Sequence, residues 1–294
     1  MNLTPESKVL IQGFSEFISA SDIAQMKAYG TNLVAGVNTG KGGQKMYDLP
    51  VFDLVEEVVN NFGTIDTTII CVPPYQVLDA ALEAIASHIP QIIITSAGVP
   101  PLDMVQLLRK TEHGETLIIG PNSPGIIVPG KILLGTQPSE FYTPGSVGIV
   151  SRSSTLTYEV AWELTKVGLG QSLSVSIGSD AIVGSSFSQW LQILDEDDST
   201  SVIVLIGQPG GGSEEAAAKY ISEAIDKPVI AYLAGRNAPI SQTWQNMGNL
   251  VSVIRNDTNF GTIESKLAAF ATADVPIAKN PHEIVELLTK VIDN

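Results

Sequence analysis

Cysteine is nearly absent: Cys71 is the single one in 294 residues, so no intrachain disulfide can form and a cysteine-based metal cluster lacks ligands. It falls in the apolar stretch Ile69-Ile70-Cys71-Val72, where a thiol packs as a small hydrophobe, and no bound metal is expected. Cations are scarce as well, with 16 Lys+Arg against 31 Asp+Glu and a net charge of -15. Such a surface repels nucleic-acid phosphates and anionic lipid, so neither is expected as a partner. No apolar run reaches the roughly 18 to 20 residues of a membrane span. The opening Met1-Asn2-Leu3-Thr4-Pro5-Glu6 lacks the basic and then apolar region of a signal peptide, and a cytoplasmic location is expected.

What the chain does have is apolar material, 44% of its residues against 16% charged, enough for two cores at this length. Short β-branched runs alternate with helical-period segments, the pattern of parallel sheets flanked by helices, so the fold class is α/β. Val9-Leu10-Ile11, Leu33-Val34-Ala35, Thr68-Ile69-Ile70, Gln91-Ile92-Ile93-Ile94 and Thr116-Leu117-Ile118-Ile119 are expected as strands of a first sheet, too continuously apolar to face water on one side. A second series runs through Val147–Val150, Ser174–Ile177, Val202–Ile206 and Val229–Tyr232. Leu78, Ala81, Leu82 and Ile85 form one helix face, and Leu156, Val160, Leu164 and Val167 another. A last helix is announced by Asn280-Pro281, with Glu283 placed to complete a capping box. The Pro/Gly-rich stretch between the two series predicts domains at 1–122 and 146–294 joined by a linker at 123–145.

Ligands of open parallel sheets bind at the carboxyl ends of strands, which directs attention to four loops. Ser151-Arg152-Ser153-Ser154-Thr155 runs from a strand into a helix and offers free N–H groups and hydroxyls to an anion at Ser153, Ser154 and Thr155. Gly207-Gln208-Pro209-Gly210-Gly211-Gly212-Ser213 repeats the arrangement, with Ser213 as its expected cap, and either loop reads equally well as a plain capped turn. Asn38-Thr39-Gly40-Lys41-Gly42-Gly43 holds one lysine among glycines, suited either to a phosphate or to a tight turn with a solvated lysine. Gly120-Pro121-Asn122-Ser123-Pro124-Gly125 reads as a rigid structural turn.

Taken in order, these segments resemble the α subunit of succinyl-CoA synthetase, also called succinate–CoA ligase. The resemblance is carried by Val9-Leu10-Ile11-Gln12-Gly13-Phe14, Gly40-Lys41-Gly42-Gly43, Gly120-Pro121-Asn122, Ser151-Arg152-Ser153 with Thr155-Leu156-Thr157-Tyr158-Glu159, and Pro228-Val229 leading to Ala234-Gly235. It implies a CoA-binding Rossmann domain followed by a flavodoxin-like ligase domain. It also implies a β subunit, with an ATP-grasp nucleotide site, in a hetero-oligomer that forms ADP or GDP.

The resemblance breaks where the chemistry should be. The family carries phosphate on a histidine in a Gly-His-Ala-Gly loop; counting from Ala238-Pro239 places Asn246 there. An amide cannot accept and release a phosphoryl group as imidazole does. The family's glutamate that orients the histidine is replaced by Gln208. His88, His113 and His282 lie away from this motif and are assigned surface or capping roles. The family's G-x-x-G-x-x-G loop reads Gly13-Phe14-Ser15-Glu16-Phe17-Ile18-Ser19, where only Gly13 remains and Glu16 brings a carboxylate toward a pyrophosphate. Gly13, Ser15 and Lys41 are the residues left to hold CoA, with Ser19 a further donor. Ser154 stands where the family has glycine.

The expected function is therefore a catalytically degenerate α-like subunit that regulates or scaffolds a β-like partner. The alternatives are an active acyl-CoA ligase subunit without a phosphohistidine carrier, and a sensor of CoA or a nucleotide.

Overall fold

The computed structural model describes residues 3–14, 17–112, 114, 116–236 and 261–292. The chain divides into two units, one of residues 1–139 with 182–185 and one of 140–181 with 186–294, and the α/β class expected from the patterning is the one found.

The first unit contains β1 (Lys8–Gln12), α1 (Ala20–Ala28), β2 (Asn32–Val37), β3 (Lys45–Met46), β4 (Leu49–Phe52), α2 (Val55–Phe62), β5 (Thr67–Ile70), α3 (Val77–Ala86), β6 (Gln91–Ile94), α4 (Pro101–Thr111) and β7 (Leu117–Ile119). Its sheet order is β3-β4-β2-β1-β5-β6-β7. Pairing is parallel apart from β3 with β4. Leu10, Ile70, Ile92 and Ile94 are buried in the core with Ala81 and Ala84 of α3, which is why these strands carry unbroken apolar runs. Leu78, Leu82 and Ile85 pack against the same core as expected. Cys71 is fully buried and burial pushes its thiol up to about 12.

The stretch 123–145 is not an extended connector. It forms a hairpin of β8 (Gly125–Val128) and β9 (Ile132–Gly135), paired antiparallel with Gly125 opposite Gly135. The reason is close approach: a Cβ on Gly125 would lie 1.9 Å from the Leu134 carbonyl oxygen, so the glycines read as linker signals are there to let two backbones meet. The hairpin belongs to the first unit, where Thr31 Oγ1 donates to the Leu133 carbonyl at 2.6 Å.

The second unit contains β10 (Pro144–Ser151), α5 (Ser154–Lys166), β11 (Gln171–Ser176), α6 (Phe187–Asp195), β12 (Val202–Gly207), α7 (Ser213–Ala224), β13 (Val229–Leu233), α8 (Ile263–Thr272), β14 (Ile277–Ala278) and α9 (Pro281–Ile292). Its strands run parallel in the order β14-β13-β12-β10-β11. On α5 the buried face is Thr157, Val160, Ala161 and Leu164. Val167 does not join it, because the helix stops at Lys166 and leaves Val167 53% exposed. At the start of α9, Asn280 Oδ1 accepts from Glu283 N–H at 3.0 Å, but the Glu283 carboxylate accepts from Lys279 N–H at 2.6 Å, one residue earlier than a capping box requires. Among the described residues no helix is long and apolar enough to cross a membrane.

Candidate functional site

Each sheet has a point where the connections leave its first strand in opposite directions, and such points open a crevice at the strands' carboxyl ends. In the first unit this strand is β1, with β2 on one side and β5 on the other. Gly13 follows it directly. Its φ is +84° and a Cβ would meet Val72 Cγ1 at 2.6 Å, so only glycine lets the chain turn here against the end of β5. Gly13 N–H donates to the Val37 carbonyl at 2.8 Å. Ser15, and with it Glu16, lies outside the described residues. Ser19 is not a free donor: it caps α1, accepting from Asp22 N–H at 3.2 Å while its hydroxyl donates to Asp22 Oδ2 at 2.6 Å. Lys41 is exposed in the loop after β2.

The Gly120–Gly125 turn follows β7. Asn122 adopts φ 58° and its N–H donates to the Ser96 carbonyl at 2.8 Å, consistent with a fixed shape.

In the second unit the central strand is β10, flanked by β11 and β12. Ser151–Thr155 lies at its carboxyl end. Ser153 caps α5 and accepts from Leu156 N–H at 3.3 Å, and its own N–H donates to Ser151 Oγ at 2.9 Å. Ser154 is half-buried and Thr155 exposed in the first turn. The N-terminal N–H groups and the helix dipole of α5 favour an anion here.

Arg152 turns away from that helix start. Its guanidinium donates to Ser213 Oγ at 3.1 Å and to the carbonyls of Gly210 and Asp180 at 3.4 Å each. It also lies 3.8 Å from Glu214 Oε1. Its buried Nε meets no acceptor among the described residues. Gly212, not Ser213, occupies the cap position of α7; Ser213 is the first helical residue, committed to Arg152 and Glu214.

Beneath this glycine-rich loop lies a buried charge cluster that the sequence reading missed. Lys266 from α8 pairs with Glu214 Oε2 and, at 3.0 Å, with Glu215 Oε2, and donates to the Gly211 carbonyl at 2.8 Å. Glu214 Oε1 accepts from Gln208 N–H at 3.1 Å. Burial pushes the Glu215 carboxyl up, but hydrogen bonds from Ser265 and Lys266 outweigh it and hold the group below the usual carboxylate value. Two cations and two anions thus close on one another and fix the loop from below. Gln208 is half-buried at the loop's first position. Asn246 lies outside the described residues, as does His113. His88 is exposed just past α3, and His282 sits on the surface of α9, 3.5 Å from Glu163. Among the described residues no group of His, Cys, Asp and Glu is arranged to hold a metal.

Comparison with known proteins agrees with this two-part layout. The family model for a CoA binding domain matches residues 4–98, and that for a CoA-ligase matches residues 150–275. A succinate–CoA ligase [ADP-forming] subunit alpha 2 of Archaeoglobus fulgidus is 40% identical over 286 residues, covering 97% of this chain and 97% of the relative. The chain belongs to the succinate–CoA ligase alpha-subunit family. The alpha subunit of Aquifex aeolicus is 37% identical over 289 residues, with 98% of this chain and 93% of that one covered. Among solved structures, an ATP citrate lyase from Methanothrix soehngenii in complex with citrate and coenzyme A matches 99% of this chain at a TM-score of 0.87 and 18% identity. An acetyl-coenzyme A synthetase of Ca. Korarchaeum cryptofilum matches 94% at a TM-score of 0.73 and 19% identity. This chain spans 51% and 58% of those two; at such identities the likeness is one of fold.

Within the family frame, the cluster of Arg152, Glu214, Glu215 and Lys266 had one faint signal in sequence. Lys266 and Phe270 stand four apart, and both are fully buried, yet a lysine at such a position is ordinarily a solvated one.

Proposed function

We propose that this chain is a catalytically degenerate α-like subunit that regulates or scaffolds a β-like, ATP-grasp partner in the cytosol. The observation that carries the reading is the pair of neutral amides, Asn246 and Gln208, at positions where the resemblance calls for a phosphate-carrying histidine and its orienting glutamate. Neither amide forms a phosphoryl adduct that water or a carboxylate can discharge. The frame around Gln208 is intact, because its N–H is held by the buried Glu214. A loop whose shape persists while its reactive groups are neutral suits a structural partner better than a catalyst.

CoA is the ligand the first unit is proposed to hold, through Gly13, Ser15 and Lys41. The turn at Gly13 and the exposed Lys41 support this. The test of degeneracy is direct. The chain, mixed with an active β subunit and labelled ATP, is expected to stay free of acid-labile phosphate; its appearance on this chain overturns the reading.

A second reading, an acyl-CoA ligase subunit in which phosphate passes to the carboxylate without a protein carrier, is favoured by one feature. Arg152, the residue before the Ser153–Thr155 helix start, is bonded to the Gly210–Ser213 loop at Gly210 and Ser213, an arrangement a pure scaffold does not need. Nucleotide-dependent CoA thioester formation with a β partner, free of phosphoprotein, would establish it.

A further inference from the structure

The Gly40–Gly43 loop carries an anion of its own. Asp53, directly after β4, turns Oδ1 back onto the loop, where it accepts from Gly40 N–H at 2.7 Å and from Gly42 N–H at 3.0 Å. Two backbone amides converging on one oxygen is how loops commonly receive a phosphate, and here a side chain takes the place. The fit is close, since a Cβ on Gly42 would lie 2.5 Å from Asp53 Oδ2. Asp53 is itself anchored, its N–H donating to Glu57 Oε2 at 3.0 Å. The remaining loop amides are also engaged: Lys41 N–H donates to the Asn38 carbonyl and Gly43 N–H to the Val51 carbonyl, both at 2.9 Å. The Lys41 ammonium is left exposed, with no partner among the described residues.

We propose that Asp53 is the positioning residue of this loop: its carboxylate fills the amide pair of Gly40 and Gly42 as an internal stand-in for phosphate. A phosphate-bearing ligand is then received there by the Lys41 ammonium and not by the backbone. The inference rests on the CoA-binding reading, since CoA is the phosphate-bearing ligand in question. Recognition at the loop becomes that of a single point charge held in place, indifferent to the phosphate's orientation and sensitive to salt.

The sign of one substitution separates this from plain charge counting. If Asp53 acted only as a nearby negative charge, Asp53→Ala would relieve repulsion and tighten CoA binding. As a positioning residue it does the reverse, because Lys41 loses its mounting. Asp53→Asn keeps an oxygen acceptor for the two amides and is expected to behave like the parent.

The test combines calorimetric CoA titration of the full chain with amide hydrogen exchange at Gly40 and Gly42 in the absence of ligand. Lys41→Ala is expected to weaken CoA binding roughly fivefold to tenfold, the loss of one charge-assisted contact. Asp53→Ala is expected to match it, and the double variant to fall within about twofold of Lys41→Ala alone, as for two residues acting through one contact. Exchange at Gly40 and Gly42 is expected to be slow in the parent and Asp53→Asn and fast in Asp53→Ala. Unchanged or tighter CoA binding by Asp53→Ala, or fast exchange in the parent, overturns the proposal. Should the parent show no CoA binding at all, the CoA reading falls and hydrogen exchange alone decides this one: exchange at Gly40 and Gly42 that is slow in the parent and in Asp53→Asn and fast in Asp53→Ala upholds it, and any other pattern overturns it.

Discussion

Lys266 Nζ and Glu214 Oε2 form an ion pair in which both side chains are fully buried, and the pair joins the first turn of α8 to the first turn of α7. Burying two charges is costly, and the pair's net worth against an apolar pair is small; what is large is the cost of removing one partner. Lys266→Met leaves the two carboxylates of Glu214 and Glu215 with Arg152 as their remaining cation, and is expected to lower unfolding free energy by about 3–5 kcal/mol. Adding Glu214→Leu should recover much of the loss. Denaturant midpoints of the two variants check this, and a single variant as stable as the parent would sink it.

Glu215 gives the cluster an acid limit. Its folded carboxyl titrates below its ordinary value, held down by Ser265 and Lys266, so its stabilising contribution is present above the unfolded value and is lost as pH falls through the folded one. The parent's stability advantage over Glu215→Gln is therefore expected to be constant near neutrality and to shrink as the solution is acidified through the carboxylate range. Urea midpoints measured at pH 7 and pH 3 read it; an advantage that grows on acidification contradicts the assignment.

Gly13→Ala places a methyl group 2.6 Å from Val72 Cγ1 and 3.0 Å from the Val72 nitrogen, at a φ of +84°. Strain and overpacking together predict a loss of roughly 1–3 kcal/mol. CoA binding should fail in the same variant, because β1 could no longer end against β5 in this way. A thermal midpoint within a degree of the parent's would show that the turn relaxes freely.

Asn246→His combined with Gln208→Glu tests whether degeneracy resides in those two side chains. With an active β subunit and labelled ATP, the double variant is expected to acquire acid-labile phosphate that the parent lacks. Absence of label in a variant of parental stability would mean that further positions, Ser154 among them, have also changed.

Much of the fold was legible in the residues. Ile92-Ile93-Ile94 and Val202–Ile206 are long apolar runs with no polar face, and such runs have few homes besides a strand covered on both sides. β8 and β9 were not legible, because the glycines and prolines that permit close backbone approach are the same residues that mark a linker. At the candidate site, the strand-end placement of Gly13 and Ser153 was legible, but the turn of the one and the helix cap of the other were not. Asp53 did not, since its role is set by two amides eleven and thirteen residues away. Ser19 and Ser213 were misjudged for a related reason: a hydroxyl near a loop has several neighbours to bond, and the winner is decided by geometry.

The sequence by itself determined the class of fold, the family, the four loops at strand ends, and the neutral amides at Gln208 and Asn246. Each is a matter of residue type and order along the chain, where periodicity and chemistry act locally. Only the tertiary structure decided that Arg152 faces Ser213 and not its own helix start, that Lys266 is buried among Glu214 and Glu215, and that Asp53 occupies the amides of Gly40 and Gly42. A charged side chain in a sequence carries no mark of its partner; its energy depends on distance and on exclusion of water, and both exist only once the elements have packed.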